Sequence, residues 1–211
     1  RLIVLMILIV LMIVRLEAGS TPPSLKTGRT SKTIKTINRV NGFNRFNPDD
    51  IDEIIMGQVL TAAAGQNPAR QAAIKAGLPV EKTAYVINQV CGSGLRSIAA
   101  GYQSILLNES KLVIAGGQES MTNSNNEMML KDGLIDAYNN YHMGITAENV
   151  AEKWNISRKD QDNFSVSSQL KTQEAIKNKR FKEEMIQGNI LKDEHPREDI
   201  TIESLSKLKP A

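Results

Sequence analysis

The feature that most constrains this chain is the stretch from Ala84 to Leu107, A-Y-V-I-N-Q-V-C-G-S-G-L-R-S-I-A-A-G-Y-Q-S-I-L-L. It opens as an apolar, β-branched run, Tyr85, Val86 and Ile87, which reads as a buried strand. It breaks at Cys91-Gly92-Ser93-Gly94 and resumes as a mostly apolar helix. At such a strand-to-helix turn, unpaired backbone N–H groups and the helix dipole favour an anion, and hence the thiolate form of Cys91. Gly92 and Gly94 leave room for a bulky substrate to approach the sulfur and the neighbouring amides. A thiolate there is a good nucleophile, and the Cys91 N–H is placed to meet the oxyanion of a tetrahedral intermediate. On composition alone a buried structural cysteine is the commoner outcome, so the turn by itself leaves both readings open.

Four ordered motifs decide between them. Asn88-Gln89-Val90-Cys91-Gly92-Ser93-Gly94-Leu95 resembles the nucleophile segment of the thiolases, the family of acetyl-CoA acetyltransferases and 3-ketoacyl-CoA thiolases. Met56-Gly57-Gln58-Val59-Leu60 with Gly65-Gln66-Asn67-Pro68-Ala69-Arg70 is similar to the same family, as are Ala115-Gly116-Gly117-Gln118-Glu119-Ser120-Met121 and Tyr141-His142-Met143-Gly144-Ile145-Thr146-Ala147-Glu148-Asn149. The resemblance covers residues 47 to 211. It implies an α/β fold of the thiolase N-terminal half: a mixed sheet flanked by helices, with a trimmed helical loop domain. Three parts are expected. Residues 1–46 form an atypical N-terminal segment, 47–117 the α/β core with the nucleophile, and 118–211 a shortened loop domain.

The resemblance also assigns roles. Cys91 becomes the acyl-accepting nucleophile. A lone histidine is ordinarily a surface or satisfied core residue. In the family's Y-H-M-G setting, however, His142 and Met143 are implied to lie against the acyl and pantetheine end of the substrate, with Leu134 close by. Their role is shape and hydrogen bonding rather than proton transfer, and the Y-H-M-G form resembles the short-chain members. Coenzyme A enters as part of the thioester substrate, and no metal or redox cofactor is implied. Association as a homo- or hetero-oligomer with thiolase subunits is implied, although the shortening between Met121 and Asp132 weakens the case for a tetramer.

Composition narrows the remaining classes. A net charge of +3, spread along the chain, argues against nucleic acid, and 4% aromatic content is too little for base-stacking platforms. The single cysteine rules out an internal disulfide and a Cys-rich zinc site, and fits a reducing, cytoplasmic setting. Between Arg1 and Arg15 lies an apolar run of 13 residues, against about 20 for a spanning helix. An altered first strand is the preferred reading of this run, ahead of a hydrophobic anchor, and a start at Arg rather than Met suggests a missing beginning.

Taken in order, residues 18–46 read as a polar loop and one weak helix, Ser31 to Val40. Asn47-Pro48-Asp49-Asp50 has the form of a helix start, Glu53 to Leu60 of a strand, and Asn67-Pro68 of a second helix start running to Gly77. Apolar residues on several faces of the helix after Cys91 (Leu95, Ile98, Ala99, Ala100, Ile105, Leu106) predict burial on most sides. Lys111 to Ala115 is the next strand. Ser157 and Asp160 form a capping-box start for a helix to about Lys179, with Phe164, Ser167, Ser168, Leu170, Ala175 and Ile176 in an uneven buried stripe. His195 falls in a loop.

Thiolases also use a second cysteine in C-x-G, a histidine in G-H-P and an asparagine in N-E-A. None of these motifs occurs in the 211 residues. The expectation is an acyltransferase impaired in the condensation step, with a non-catalytic remnant or accessory chain as the alternative.

Overall fold

The computed structural model describes residues 12–15 by backbone alone, together with 47–121, 124–182 and 195–210. The chain divides into two compact units, Arg1–Gly133 and Leu134–Ala211. The helix expected at 31–40 and the apolar run before Met12 lie outside the described residues.

The first unit is built on a four-stranded mixed sheet in the order β1-β4-β2-β3. The strands are β1 (Met12–Arg15), β2 (Glu53–Gly57), β3 (Thr83–Ile87) and β4 (Leu112–Gly117). β2 runs parallel to both β3 and β4, while β1 pairs antiparallel with β4, Met12 opposite Ala115 and Arg15 opposite Leu112. The strand expected in the apolar N-terminal run is therefore present at Met12–Arg15. β2 is shorter than the apolar pattern suggested. It stops at Gly57: the Gln58 amide still reaches the Ile87 carbonyl of β3, but those of Val59 and Leu60 go to the Glu119 carboxylate.

Side-chain alternation along β2 and β4 supplies two core layers. On one face Ile54, Met56 and Ile114 pack with Ala69 and Ala73 of α1 (Pro68–Lys75). On the other face Ile55, Val113 and Ala115 pack with Ile105 of α2 (Ser93–Leu106). The cap predicted for α1 is present: Asn67 Oδ1 accepts the Arg70 N–H at 3.1 Å, Pro68 opens the helix, and Gly77 lies just past its end in the left-handed region. Asn47 caps in the same way, but it opens only a 3-10 turn, Pro48–Asp50.

The burial expected all round α2 does not form. Its buried residues are Ser93, Ser97, Gly101, Ser104 and Ile105, a mostly small-residue stripe on the sheet, whereas Leu95 is 74% and Leu106 52% exposed. Small side chains let the helix backbone approach β4 closely. Ser97 Oγ lies 2.6 Å from the Gly116 carbonyl, and its residue is fully buried.

After β4 a short helix, α3 (Asn126–Met129), runs into a π turn, Leu130–Leu134. The second unit then holds α4 (Met143–Lys153), α5 (Arg158–Lys177) and α6 (Ile202–Ser206). The capping box of α5 is formed by Ser157 and Asp160. The expected stripe is not buried: Phe164 is 79% and Leu170 53% exposed, and Asp162 is the one buried residue of the helix. That carboxylate meets Arg158 at 2.9 Å, and Arg158 in turn donates to the Leu205 and Leu208 carbonyls at the end of α6. The face of α5 that packs is thus polar, which a hydrophobicity pattern does not detect. His195 lies in an irregular segment, as expected. No helix among the described residues is long and apolar enough to cross a membrane.

Candidate active site

The sheet order points to one end of the strands before any side chain is considered. β2 feeds α1 on one face of the sheet and β3 feeds α2 on the other. The loops leaving these two neighbouring parallel strands therefore diverge, and ligands in open α/β sheets bind outside the carboxyl ends of strands at such a switch. Cys91 sits in the turn after β3, one residue before the cap of α2, and its side chain is exposed. That exposure removes the buried structural cysteine from consideration.

The turn is fixed by hydrogen bonds rather than by packing. Val90 has φ 48°, in the left-handed region, an outlier for a β-branched residue that costs about 1–3 kcal/mol. Its N–H is held by Asn88 Oδ1 at 2.9 Å. Its carbonyl accepts from the Ser93 amide at 3.0 Å and from the Ser93 hydroxyl at 2.6 Å. The same hydroxyl accepts the Gln89 N–H at 2.9 Å, and Ser93 is only 3% exposed. Beneath the turn, α2 rests on glycine: a Cβ at Gly57 would stand 2.5 Å from the Gly94 nitrogen and the Ser93 oxygen. A Cβ at Gly94 would meet nothing closer than 3.9 Å, so space remains at that position.

The adjoining loops are tied by polar side chains that the sequence did not single out. The Glu119 carboxylate accepts the N–H groups of Val59 (2.9 Å) and Leu60 (3.1 Å), and Gln118 Nε2 donates to Gln58 Oε1 at 2.7 Å. These bonds join the segments leaving β2 and β4. The available signal was a carboxylate and two amides inside the matched motifs; their pairing becomes visible only when β2 and β4 lie side by side. Asn67 serves as a cap and donates to the Ala84 carbonyl at 2.8 Å.

In the second unit the other expected site residues fall together. Ile135 and His142 form an antiparallel bridge, which brings Leu134 beside His142 and Met143 in the fold of that unit. His142 is the cap of α4, its Nδ1 accepting the Gly144 N–H at 3.0 Å, so in the neutral ring the proton lies on Nε2. The bend leading to it is organised by Asp136, whose carboxyl accepts the backbone N–H groups of Asn139 and Tyr138; these bonds hold it below the usual carboxylate range. Cys91 belongs to the first unit, and Leu134, His142 and Met143 to the second. No cluster of three metal-ligating side chains occurs among the described residues.

Comparison with known proteins identifies the family and the fold. The thiolase N-terminal domain family matches residues 31–127 and 123–211. Acetyl-CoA acetyltransferase of Paracoccus denitrificans is 48% identical over 189 residues, covering 78% of this chain and 48% of the relative. The enzyme of the same name from Rhizobium meliloti (strain 1021) is 46% identical over 187 residues, with 77% and 48% covered. The crystal structure of the Bacillus anthracis acetyl-CoA acetyltransferase superposes with a TM-score of 0.76 at 30% identity, covering 85% of this chain and 52% of that one. The chain spans about half the length of the curated relatives it matches. With the matched domain covering most of its residues, this chain belongs to the thiolase family.

Proposed function

We propose that this polypeptide is a thiolase-type acyltransferase of the acetyl-CoA C-acetyltransferase class, with Cys91 as the nucleophile. The observation that carries this is an exposed thiol in the turn between the carboxyl end of a parallel strand, β3, and the start of α2. Cys91 Sγ attacks the thioester carbonyl of acetyl-CoA, and the bond from that carbon to the coenzyme's sulfur breaks. The acetyl group stays on Cys91, and the thiol proton leaves with coenzyme A. The helix N-terminus stabilises the negative charge passing through the carbonyl oxygen. Coenzyme A is substrate throughout, and Leu134, His142 and Met143 are the proposed contacts for its acyl and pantetheine end. A reducing, cytoplasmic compartment would keep the single thiol free.

The carbon–carbon step needs a base and a second set of oxyanion donors, which the resemblance assigns to motifs absent from these 211 residues. A missing base costs about 10²–10⁴ in rate. The chain by itself is therefore proposed to take an acetyl group and to condense poorly. Incubation with acetyl-CoA should add one acetyl mass, mapped to Cys91 and lost in Cys91→Ser. A folded protein that takes no acetyl group would overturn the assignment, and efficient acetoacetyl-CoA thiolysis would overturn the proposed impairment.

One observation favours a second reading, an accessory chain pairing with a full thiolase subunit: α2 carries exposed Leu95 and Leu106, and Leu107 just past its end is exposed as well. Under this reading the chain should co-elute with a purified full-length thiolase subunit, and separate elution would dismiss it.

A further inference from the structure

We infer that Ser93 is a positioning residue that aims the Cys91 N–H, and through it the charge-stabilising side of the proposed acyl transfer. The inference rests on that proposed reading of Cys91, and its test is built to fail separately from it.

One peptide plane carries the effect. A trans peptide holds its C=O and N–H in opposite directions, and no peptide bond of the described chain is cis. The Val90 carbonyl and the Cys91 N–H belong to the same plane. That carbonyl is bound twice from the helix side, by the Ser93 hydroxyl at 2.6 Å and by the Ser93 amide at 3.0 Å. The Cys91 N–H therefore points away from the start of α2, on the side opposite Ser93. Core packing does not force this plane into place. Val90 is 49% exposed, and a β-branched residue left to itself avoids the left-handed region.

Ser93 also closes the loop from the other end, accepting the Gln89 N–H at 2.9 Å. A single hydroxyl, almost fully buried, thus holds the amide of the residue before Val90 and the carbonyl of Val90 itself. Its own proton goes to the Val90 carbonyl, so it has none to give a substrate, and it touches no atom of the Cys91 side chain in any hydrogen bond. Its effect is on the direction of a backbone donor.

Two reagents separate this role from a general one. Acetylation of a thiol by p-nitrophenyl acetate passes through a tetrahedral oxyanion: the sulfur bonds to the acetyl carbon, p-nitrophenolate departs, and the thiol proton goes to solvent. Alkylation by iodoacetamide is a direct displacement of iodide with no oxyanion to stabilise. In Ser93→Ala, with wild-type circular dichroism, acetylation of Cys91 by p-nitrophenyl acetate should slow about tenfold, part of the 10²–10³ that loss of an oxyanion donor costs. Iodoacetamide labelling should stay within about twofold, since no such donor assists it. Ser93→Thr, which keeps the hydroxyl, should restore acetylation. Val90→Gly loosens the same plane at a half-exposed position and should show a smaller selective loss, which keeps the test available if Ser93→Ala fails to fold.

Equal acetylation in wild type, Ser93→Ala and Val90→Gly overturns the inference. So does a parallel fall in acetylation and alkylation, which would mean that Ser93 supports only the fold or the sulfur's reactivity. Neither reagent contains coenzyme A. A wild-type chain that reacts with p-nitrophenyl acetate but not with acetyl-CoA refutes the proposed function while leaving the role of Ser93 to be judged on its own result.

Discussion

Gly57→Val should leave the chain without a stable first unit. The Cβ of any residue at position 57 would stand 2.5 Å from two backbone atoms of the first turn of α2, and closer still to the Ser93 carbonyl carbon. Backbone cannot rotate out of the way as a side chain does. Either the start of α2 lifts from β2, taking Cys91 with it, or β2 leaves the sheet. Overpacking of a core typically costs about 1–3 kcal/mol where side chains can shift, and here they cannot. Gly57→Ala should therefore lose about 3 kcal/mol, and Val more, from a total stability of roughly 5–15 kcal/mol. Urea unfolding followed by circular dichroism measures this. An alanine variant within about 0.5 kcal/mol of wild type would mean that the helix does not rest on this glycine.

Gly101→Leu tests the other end of the same seat. A Cβ there would come 3.1 Å from Val113 Cγ1 and 3.4 Å from the Ala115 Cβ, both residues fully buried in β4. The near neighbour is a side chain, so alanine needs a displacement of only a few tenths of an ångström. The gain in helix propensity, about 1 kcal/mol, offsets much of that cost. Leucine has three further carbons and no space for them, and should cost about 3 kcal/mol in thermal or urea unfolding. The expected order is thus near-neutral alanine and strongly destabilising leucine. Equal tolerance of both would place α2 farther from β4 than described.

The contrast between these glycines shows what could be read in advance and what could not. The positions of the strand, turn and helix around Cys91 were legible because each has a local signal: a β-branched run, a Gly-Ser-Gly break, then an apolar helix. The burial expected of that strand was not met, since β3 ends the sheet order and Tyr85 is 38% exposed. The start of α1 was legible from Asn67 and Pro68, whose effects are confined to one turn. The side of α2 that meets the sheet was not, because Ser93, Ser97, Gly101 and Ser104 carry no hydrophobic signal and are selected by closeness of approach. On α5 the same blindness led to Phe164 being expected inside, where the buried group is Asp162, neutralised by Arg158. The Glu119 clamp on the Val59 and Leu60 amides spans about sixty positions of sequence, and only the parallel pairing of β2 with β4 brings its ends together. Cys91 could be named from its motif; the bonds that hold its turn could not.

β1 has a consequence for how the molecule is made. Its partner among the described strands is β4, which the ribosome delivers roughly a hundred residues later, after both crossover helices. Until then Met12–Arg15 lacks that partner, and β4 itself must settle between the early strand and β2. Closure of so long a loop is slow, and the edges awaiting it are open to wrong pairings in the meantime. The first unit is thus completed late and from both ends at once, and the nascent chain depends on its helices, rather than its first strand, to gather the sheet.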